Sequence, residues 1–228
     1  MKKSLFQIIV LLTILIVSVS PLMGAGQGEG EEKAEDKVYN IKFASAVPDG
    51  VPAAKAMKQV AEKVKERSGG KLLIEVFTDG QLGNERDAAE AVRVGAIEMS
   101  HNSLGSLAIF DESLNVFALP YIWKSEDHLI EAVRGEIGKE TFENFEQKTG
   151  IKILDAGWIW GVRHLTTKGV EVTKPEDIAG VKVRAPEIPL YVDMVKSWGA
   201  LPVAVHSNDI YMALQTGMAK GQENPITA

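Results

Sequence analysis

Arg163 and Arg184 stand apart from the other basic residues of this 228-residue sequence by their company. Arg163 closes the run Trp158-Ile159-Trp160-Gly161-Val162, and Arg184 follows Val181-Lys182-Val183 and precedes Ala185-Pro186. Neither lies in a charge-rich surface run. A guanidinium presents a planar fork that takes a carboxylate in two parallel hydrogen bonds, which an ammonium cannot match. For either arginine alone, a structural ion pair or a snorkelling surface side chain is the simpler explanation. Two such arginines in an acidic chain point instead toward capture of a small anion.

Other chemistries find little support. With 0 Cys, the sequence has no thiolate nucleophile, disulfide, Cys-ligated zinc or iron–sulfur site. The 4 His are scattered: His101 and His164 at expected strand ends, His128 on a helix, His206 in a turn. Each reads as a satisfied core or surface histidine, so no metal site is expected. HExxH, GxSxG and GxxxxGK[ST] are all missing, and the glycines of 24–30 match a dinucleotide fingerprint neither in spacing nor in position. No enzyme and no cofactor are expected. A balance of 25 Lys+Arg against 31 Asp+Glu, net −6, also argues against a nucleic-acid partner, which needs a clustered basic face. The 45% hydrophobic content suffices for a buried core, in one large domain or two small ones.

Lys2 and Lys3, an apolar run over 5–19, Pro21 and the small residues Gly24-Ala25-Gly26 follow the order of a cleaved export signal over 1–26. A membrane anchor is the rival reading, but a spanning helix wants about 20 apolar residues. The acidic, Gly-rich stretch 27–37 reads as a disordered leader. An exported protein is therefore expected, without a lipid anchor because there is no cysteine to carry one.

Beyond the leader two periods alternate. Strands are expected at 38–44, 72–77, 97–100, 151–156, 161–165 and 181–184. Helices are expected at 52–68, from an Asn84 cap to Gly95, in one long element opened by Ser125, at 189–198 and at 208–216. The long element carries a stripe of Leu129, Ile130, Val133, Ile137, Phe142 and Phe145. Such alternation implies an α/β protein with parallel sheets and crossover helices. In open sheets of this kind ligands bind beyond the carboxyl ends of the strands, where Arg184 falls.

Seven segments, in order, resemble the solute-binding subunit of TRAP (tripartite ATP-independent periplasmic) transporters. They are Ser68-Gly69-Gly70-Lys71; Gln81-Leu82-Gly83 with Glu85-Arg86; Phe117-Ala118-Leu119-Pro120-Tyr121; and Gly161-Val162-Arg163. The others run from Pro175 through Ile178 and Gly180 to Arg184, from Tyr211 to Gly217, and from Gly221 through Gln222-Glu223-Asn224 to Pro225. The resemblance implies two α/β lobes, 38–158 and 159–228, with open sheets and a hinge. It further implies a periplasmic receptor that delivers a small organic acid to an ion-gradient-driven integral membrane permease. A receptor for an ATP-driven importer or a sensor, and a nonfunctional remnant, are the alternatives. Carried over by position, Arg184 pairs with the ligand carboxylate, Arg163 is a second cleft arginine, and Asn224 hydrogen-bonds the ligand. Ser103 and Ser207 match variable ligand-facing positions, where a serine also serves to cap a helix or close a turn. Trp158 and Trp160 either line the cleft or fill the hinge. A monomer is expected. Two departures stand out: Lys220 replaces a usual aspartate, and family members continue for about a hundred residues, so a C-terminally truncated, incomplete second lobe is expected.

Overall fold

The computed structural model describes residues 37–226. The expected export signal, and the expected leader up to residue 36, lie outside the described residues. β1 (Tyr39–Ser45) leads into α1 (Pro52–Arg67) and returns as β2 (Leu72–Phe77). After α2 (Glu85–Arg93) the chain passes to the other side of β1 and pairs there as β3 (Met99–His101). The resulting sheet has the order β2-β1-β3 and is wholly parallel.

Local chemistry explains these elements. α1 starts with Pro52, whose missing N–H is no loss in a first turn, and buries Ala54, Met57 and Ala61. It stops where Gly69 and Gly70 take φ of +60° and +81° and donate their N–H groups to Glu66 and Lys65. The side chain of Asn84 caps α2 by accepting from the N–H groups of Arg86 and Asp87.

A helical layer follows: α3 (Leu104–Leu107), a 3-10 turn at Glu112–Ala118, α4 (Glu126–Arg134) and α5 (Glu136–Thr149). Its core joins Leu107, Leu114, Phe117, Val133 and Phe145, with Leu114 and Phe145 at 0% exposure. Complete burial of each such side chain is worth about 1.5–3 kcal/mol. The single long helix expected after Ser125 is in fact two, broken at Gly135. The break brings Gly138 so near Val133 that a Cβ there would lie 2.1 Å from the Val133 carbonyl oxygen. The strand expected at 151–156 does not form. Ile151, Ile153 and Ala156 pack against the helical core, and no described strand pairs with them.

The second sheet contains β4 (Arg163–Thr167), β5 (Lys182–Ala185), β6 (Leu201–Ala204) and β7 (Gly221–Pro225), in the order β4-β7-β5-β6. Between β5 and β6 lies α6 (Pro189–Ser197), and between β6 and β7 lies α7 (Ile210–Gln215). Val183 and Ala185 of β5 and Val195 of α6, each at 0% exposure, anchor its core. The winding repeats that of the first sheet: out to β6 on one side of β5, then back across to β7 on the other. The expectation of parallel sheets fails at β4, which pairs antiparallel with β7. β6 and β7 had no sequence prediction, because β7 is polar and ends in proline. In β7 the alternate residues Gly221, Glu223 and Pro225 are the buried ones.

Candidate functional site

Each sheet reverses its winding at one strand, β1 in the first and β5 in the second, and such reversals open a crevice at the carboxyl ends of parallel strands. In the second sheet that place lies between β5 and β7 and holds Arg184. Its side chain is 2% exposed. Nε donates to the Val205 carbonyl at 2.9 Å, whereas Nη2 is buried without a hydrogen-bond partner. Burial and, secondly, repulsion from Arg163 push the Arg184 pKa down to about 10. At neutral pH this side chain is therefore a buried cation with an unpaired donor, a combination that favours an incoming anion.

Arg163 arrives by the antiparallel pairing, which sets the start of β4 opposite Pro225, at the end of β7. Its guanidinium is already engaged. Nε lies 2.5 Å and Nη2 2.8 Å from the two carboxylate oxygens of Glu223, which is 4% exposed. Nη2 also donates to the Glu223 carbonyl at 2.8 Å and to Asn224 Oδ1 at 2.9 Å. Burial disfavours the Arg163 charge, but the Glu223 contact outweighs it and raises the pKa. The guanidinium stacks over Tyr191 at 5.2 Å.

The first sheet contributes from its own reversal, between β1 and β3. Glu85, the first residue of α2, accepts from the Ser103 N–H at 3.1 Å and hydroxyl at 2.8 Å. The charge of Glu85 acts on both Arg163 and Arg184. His101, the last residue of β3, lies with its ring 5.9 Å from Trp158 and 6.1 Å from Trp160. Desolvation holds its pKa below the usual histidine value, with Glu85 opposing in part. Elements of the two sheets also touch directly. Asn208 Nδ2 donates to the Asp79 carbonyl at 2.9 Å, and a Cβ on Gly105 would lie 3.4 Å from the Tyr191 ring.

The five residues singled out from sequence thus have different surroundings. Arg184, Arg163 and Asn224 come together at the rim of the second sheet. The Asn224 amide is partly committed, accepting from Arg163 and donating to Gln222 Oε1 at 2.6 Å. Ser103 caps α3 by accepting from the Ser106 N–H at 3.2 Å while it donates to Glu85. Ser207 is exposed and opens the 3-10 turn Ser207–Asp209. Trp158 and Trp160 flank His101 and stay 40% and 38% exposed. Sequence reasoning missed Glu85, Glu223, Tyr191 and His101. A signal existed for the two carboxylates, since both lie inside segments that carry the family resemblance. Glu223 cannot be matched to Arg163 until β4 and β7 are paired, nor Glu85 to Ser103 until α2 and α3 are brought together.

The model of "Bacterial extracellular solute-binding protein, family 7" matches residues 43–228. The C4-dicarboxylate-binding periplasmic protein DctP of Rhodobacter capsulatus is 31% identical over 190 residues, which cover 81% of this chain and 55% of that protein. Among solved structures, a TRAP periplasmic solute binding protein from Citrobacter koseri with bound D-glucuronate is 36% identical, with a TM-score of 0.75. That match covers 82% of this chain and 62% of the other. A TRAP periplasmic solute binding protein from Fusobacterium nucleatum with bound sn-glycerol-3-phosphate is 29% identical with a TM-score of 0.78, covering 82% and 60%. The chain spans about half the length of the curated relatives it matches. The open-sheet α/β architecture, the order of motifs and the match over most of the sequence agree: this chain belongs to bacterial extracellular solute-binding protein family 7, the TRAP solute-binding proteins.

Proposed function

We propose that the protein is a periplasmic receptor that captures a small organic acid through Arg184 and delivers it to an ion-gradient-driven membrane permease. The observation that carries this reading is the buried Arg184 Nη2, which has no hydrogen-bond partner. An anion placed there completes a charge-assisted pair and relieves a desolvated cation, whereas a neutral analogue leaves the cation uncompensated. Asn224 supports the acid from the side with its remaining amide capacity, and Arg163, held by Glu223, packs beside it. Separate cores at the two sheets, Phe43 with Met57 in the first and Val183 with Val195 in the second, support lobes over 38–158 and 159–228 that close on the acid and exclude water. The acids bound by similar proteins, D-glucuronate among them, make sugar acids the first ligands to test.

Isothermal titration of the chain with D-glucuronate, D-galacturonate, D-galactonate and succinate, against D-glucose, tests the proposal. At least one acid binds and D-glucose does not. Arg184→Ala, shown to be folded by circular dichroism, loses at least ~2 kcal/mol of affinity, the scale for breaking a buried charged pair. Equal binding of acid and neutral sugar, or an unchanged affinity in that variant, rejects the role of Arg184.

A further inference from the structure

Three aromatic rings border the site and have no role in seating the carboxylate. Trp158 and Trp160 lie in the irregular segment that leads into β4, and both indoles pack on the ring of His101. His101 ends β3, where the crevice of the first sheet opens, and two residues later Ser103 holds Glu85. Gly161 brings the same segment against the second sheet. A Cβ there would lie 3.3 Å from the Cβ of Pro225, the last residue of β7, and β7 pairs with the strand that carries Arg184. The charge of Glu85 acts on His101 as it does on Arg163 and Arg184. The rings and the arginines therefore border one crevice.

The polar atoms of these rings are left open. Trp123, in the helical core, donates its indole N–H to the Phe117 carbonyl at 3.2 Å. Among the described residues, no hydrogen bond satisfies the indole N–H of Trp158 or Trp160, or either ring nitrogen of His101. Indoles that only filled a hinge would be covered, yet these stay 40% and 38% exposed. None of the three residues falls in the seven segments that carry the family resemblance, which makes them candidates for what is particular to this chain's ligand.

We infer that Trp158, Trp160 and His101 form a wall that reads the body of the ligand and makes the site prefer a uronic acid in its pyranose form to an open-chain acid of equal size. The indoles pack on the C–H face of the sugar ring, and the imidazole hydrogen-bonds one ring hydroxyl. The inference rests on the reading that Arg184 takes the carboxylate, and it concerns what lies beyond that carboxylate. A pyranose offers a broad face of C–H groups, so stacking it on an indole removes apolar area from water on both sides. An open chain has no such face and must first be ordered. Desolvation lowers the His101 pKa, so at pH 7.5 the ring is neutral and has one nitrogen to donate and one to accept.

D-glucuronate and D-gluconate give the contrast, since both are six-carbon acids with a single carboxylate and only the first closes into a pyranose. Isothermal titration of the wild-type chain at pH 7.5 should show D-glucuronate binding at least ~10-fold more tightly, the scale of an aromatic stacking contact. Trp158→Ala and Trp160→Ala, each shown to be folded by circular dichroism, should shrink that ratio ~5-fold by weakening D-glucuronate alone. His101→Phe keeps a ring between the indoles and should weaken D-glucuronate ~5-fold, the scale of one neutral hydrogen bond. Tryptophan emission covers the case in which an alanine variant fails to fold. D-glucuronate should shift it in the wild type, and the shift should be lost when Trp158→Phe and Trp160→Phe are combined. Equal affinities in the wild type, a ratio unchanged in the folded alanine variants, or both acids weakened alike, as a packing role would give, each overturns the inference alone. An unchanged D-glucuronate affinity in His101→Phe, or an emission shift that survives the double replacement, does the same. Failure of folded wild-type chain to bind either acid overturns it together with the reading beneath it.

Discussion

Arg163 and Glu223, sixty residues apart in sequence, meet side by side across the antiparallel β4–β7 pair through two contacts of 2.5 and 2.8 Å. Their geometry is the two-pronged one that the sequence alone suggests for an arginine and a ligand, here satisfied within the protein. Arg184 keeps the unsatisfied donor. The division of labour between the arginines follows from strand pairing.

Loss of one member of this pair should be severe. Arg163→Ala leaves the Glu223 carboxylate buried without its counter-charge and should cost about 3 kcal/mol, the low end for breaking a buried pair, because the Arg163 side chain is 30% exposed. Replacing both residues with methionine should restore most of that loss. Urea unfolding of the two variants checks the contrast, and equal destabilisation would contradict it.

Arg184 should show the opposite balance. Arg184→Met removes a buried donor without a partner and fills the same volume with an apolar chain. The unliganded protein should melt at a higher temperature, by the equivalent of about 1–3 kcal/mol. The stabilisation that acids confer on the wild type should vanish. Differential scanning calorimetry with and without D-glucuronate measures both effects, and a lower melting point without acid would refute the first.

These two residues also show what the sequence exposes and what only strand pairing reveals. Arg184 was legible because a buried parallel strand followed by Ala-Pro has a recognisable pattern, and its charge is conspicuous there. The pairing of Arg163 was not legible, because β7 shows no apolar alternation: its inward residues are Gly221, Glu223 and Pro225. The segment 151–156 erred in the other direction. Its apolar residues fit a strand, yet their burial comes from the helical layer, and period alone cannot separate those cases. Ser103 was readable as a cap, and its bond to Glu85 depended on folding together segments 18 residues apart.

His101 should make stability depend on pH in a defined window. Its folded-state pKa lies below the ordinary value of 6.5, so the unfolded chain binds the proton more readily. The stabilisation is complete above about pH 6.5, declines as pH falls through that value, and levels off below the depressed folded-state pKa. Thermal melts from pH 7.5 to 5 should fall more steeply for wild type than for His101→Phe, which keeps an aromatic ring between Trp158 and Trp160. Parallel curves would show that His101 has no part in the effect.

Gly138 should resist a substitution that usually helps a helix. Exposed Gly→Ala changes in helices gain about 1 kcal/mol. Here the added carbon would lie 2.1 Å from the Val133 carbonyl oxygen and 2.5 Å from its carbon, both of them backbone atoms that cannot swing aside. Gly138→Ala should therefore cost about 1–3 kcal/mol, read as a lowered urea midpoint at unchanged slope. A raised midpoint would mean that the joint between α4 and α5 can relax.

The doubled winding of the two sheets has a consequence for how chains of this family diversify. Glu85, Ser103 and Arg163 stand where regular structure begins, Arg184 lies one residue from the end of β5 and Glu223 in mid-β7, while Phe145, Met57 and Val195 fill interiors elsewhere. Exchanging a rim side chain that is not half of a buried ion pair can therefore retune the guest that is admitted and leave the scaffold's packing untouched. Inheritance can conserve the frame and vary the menu.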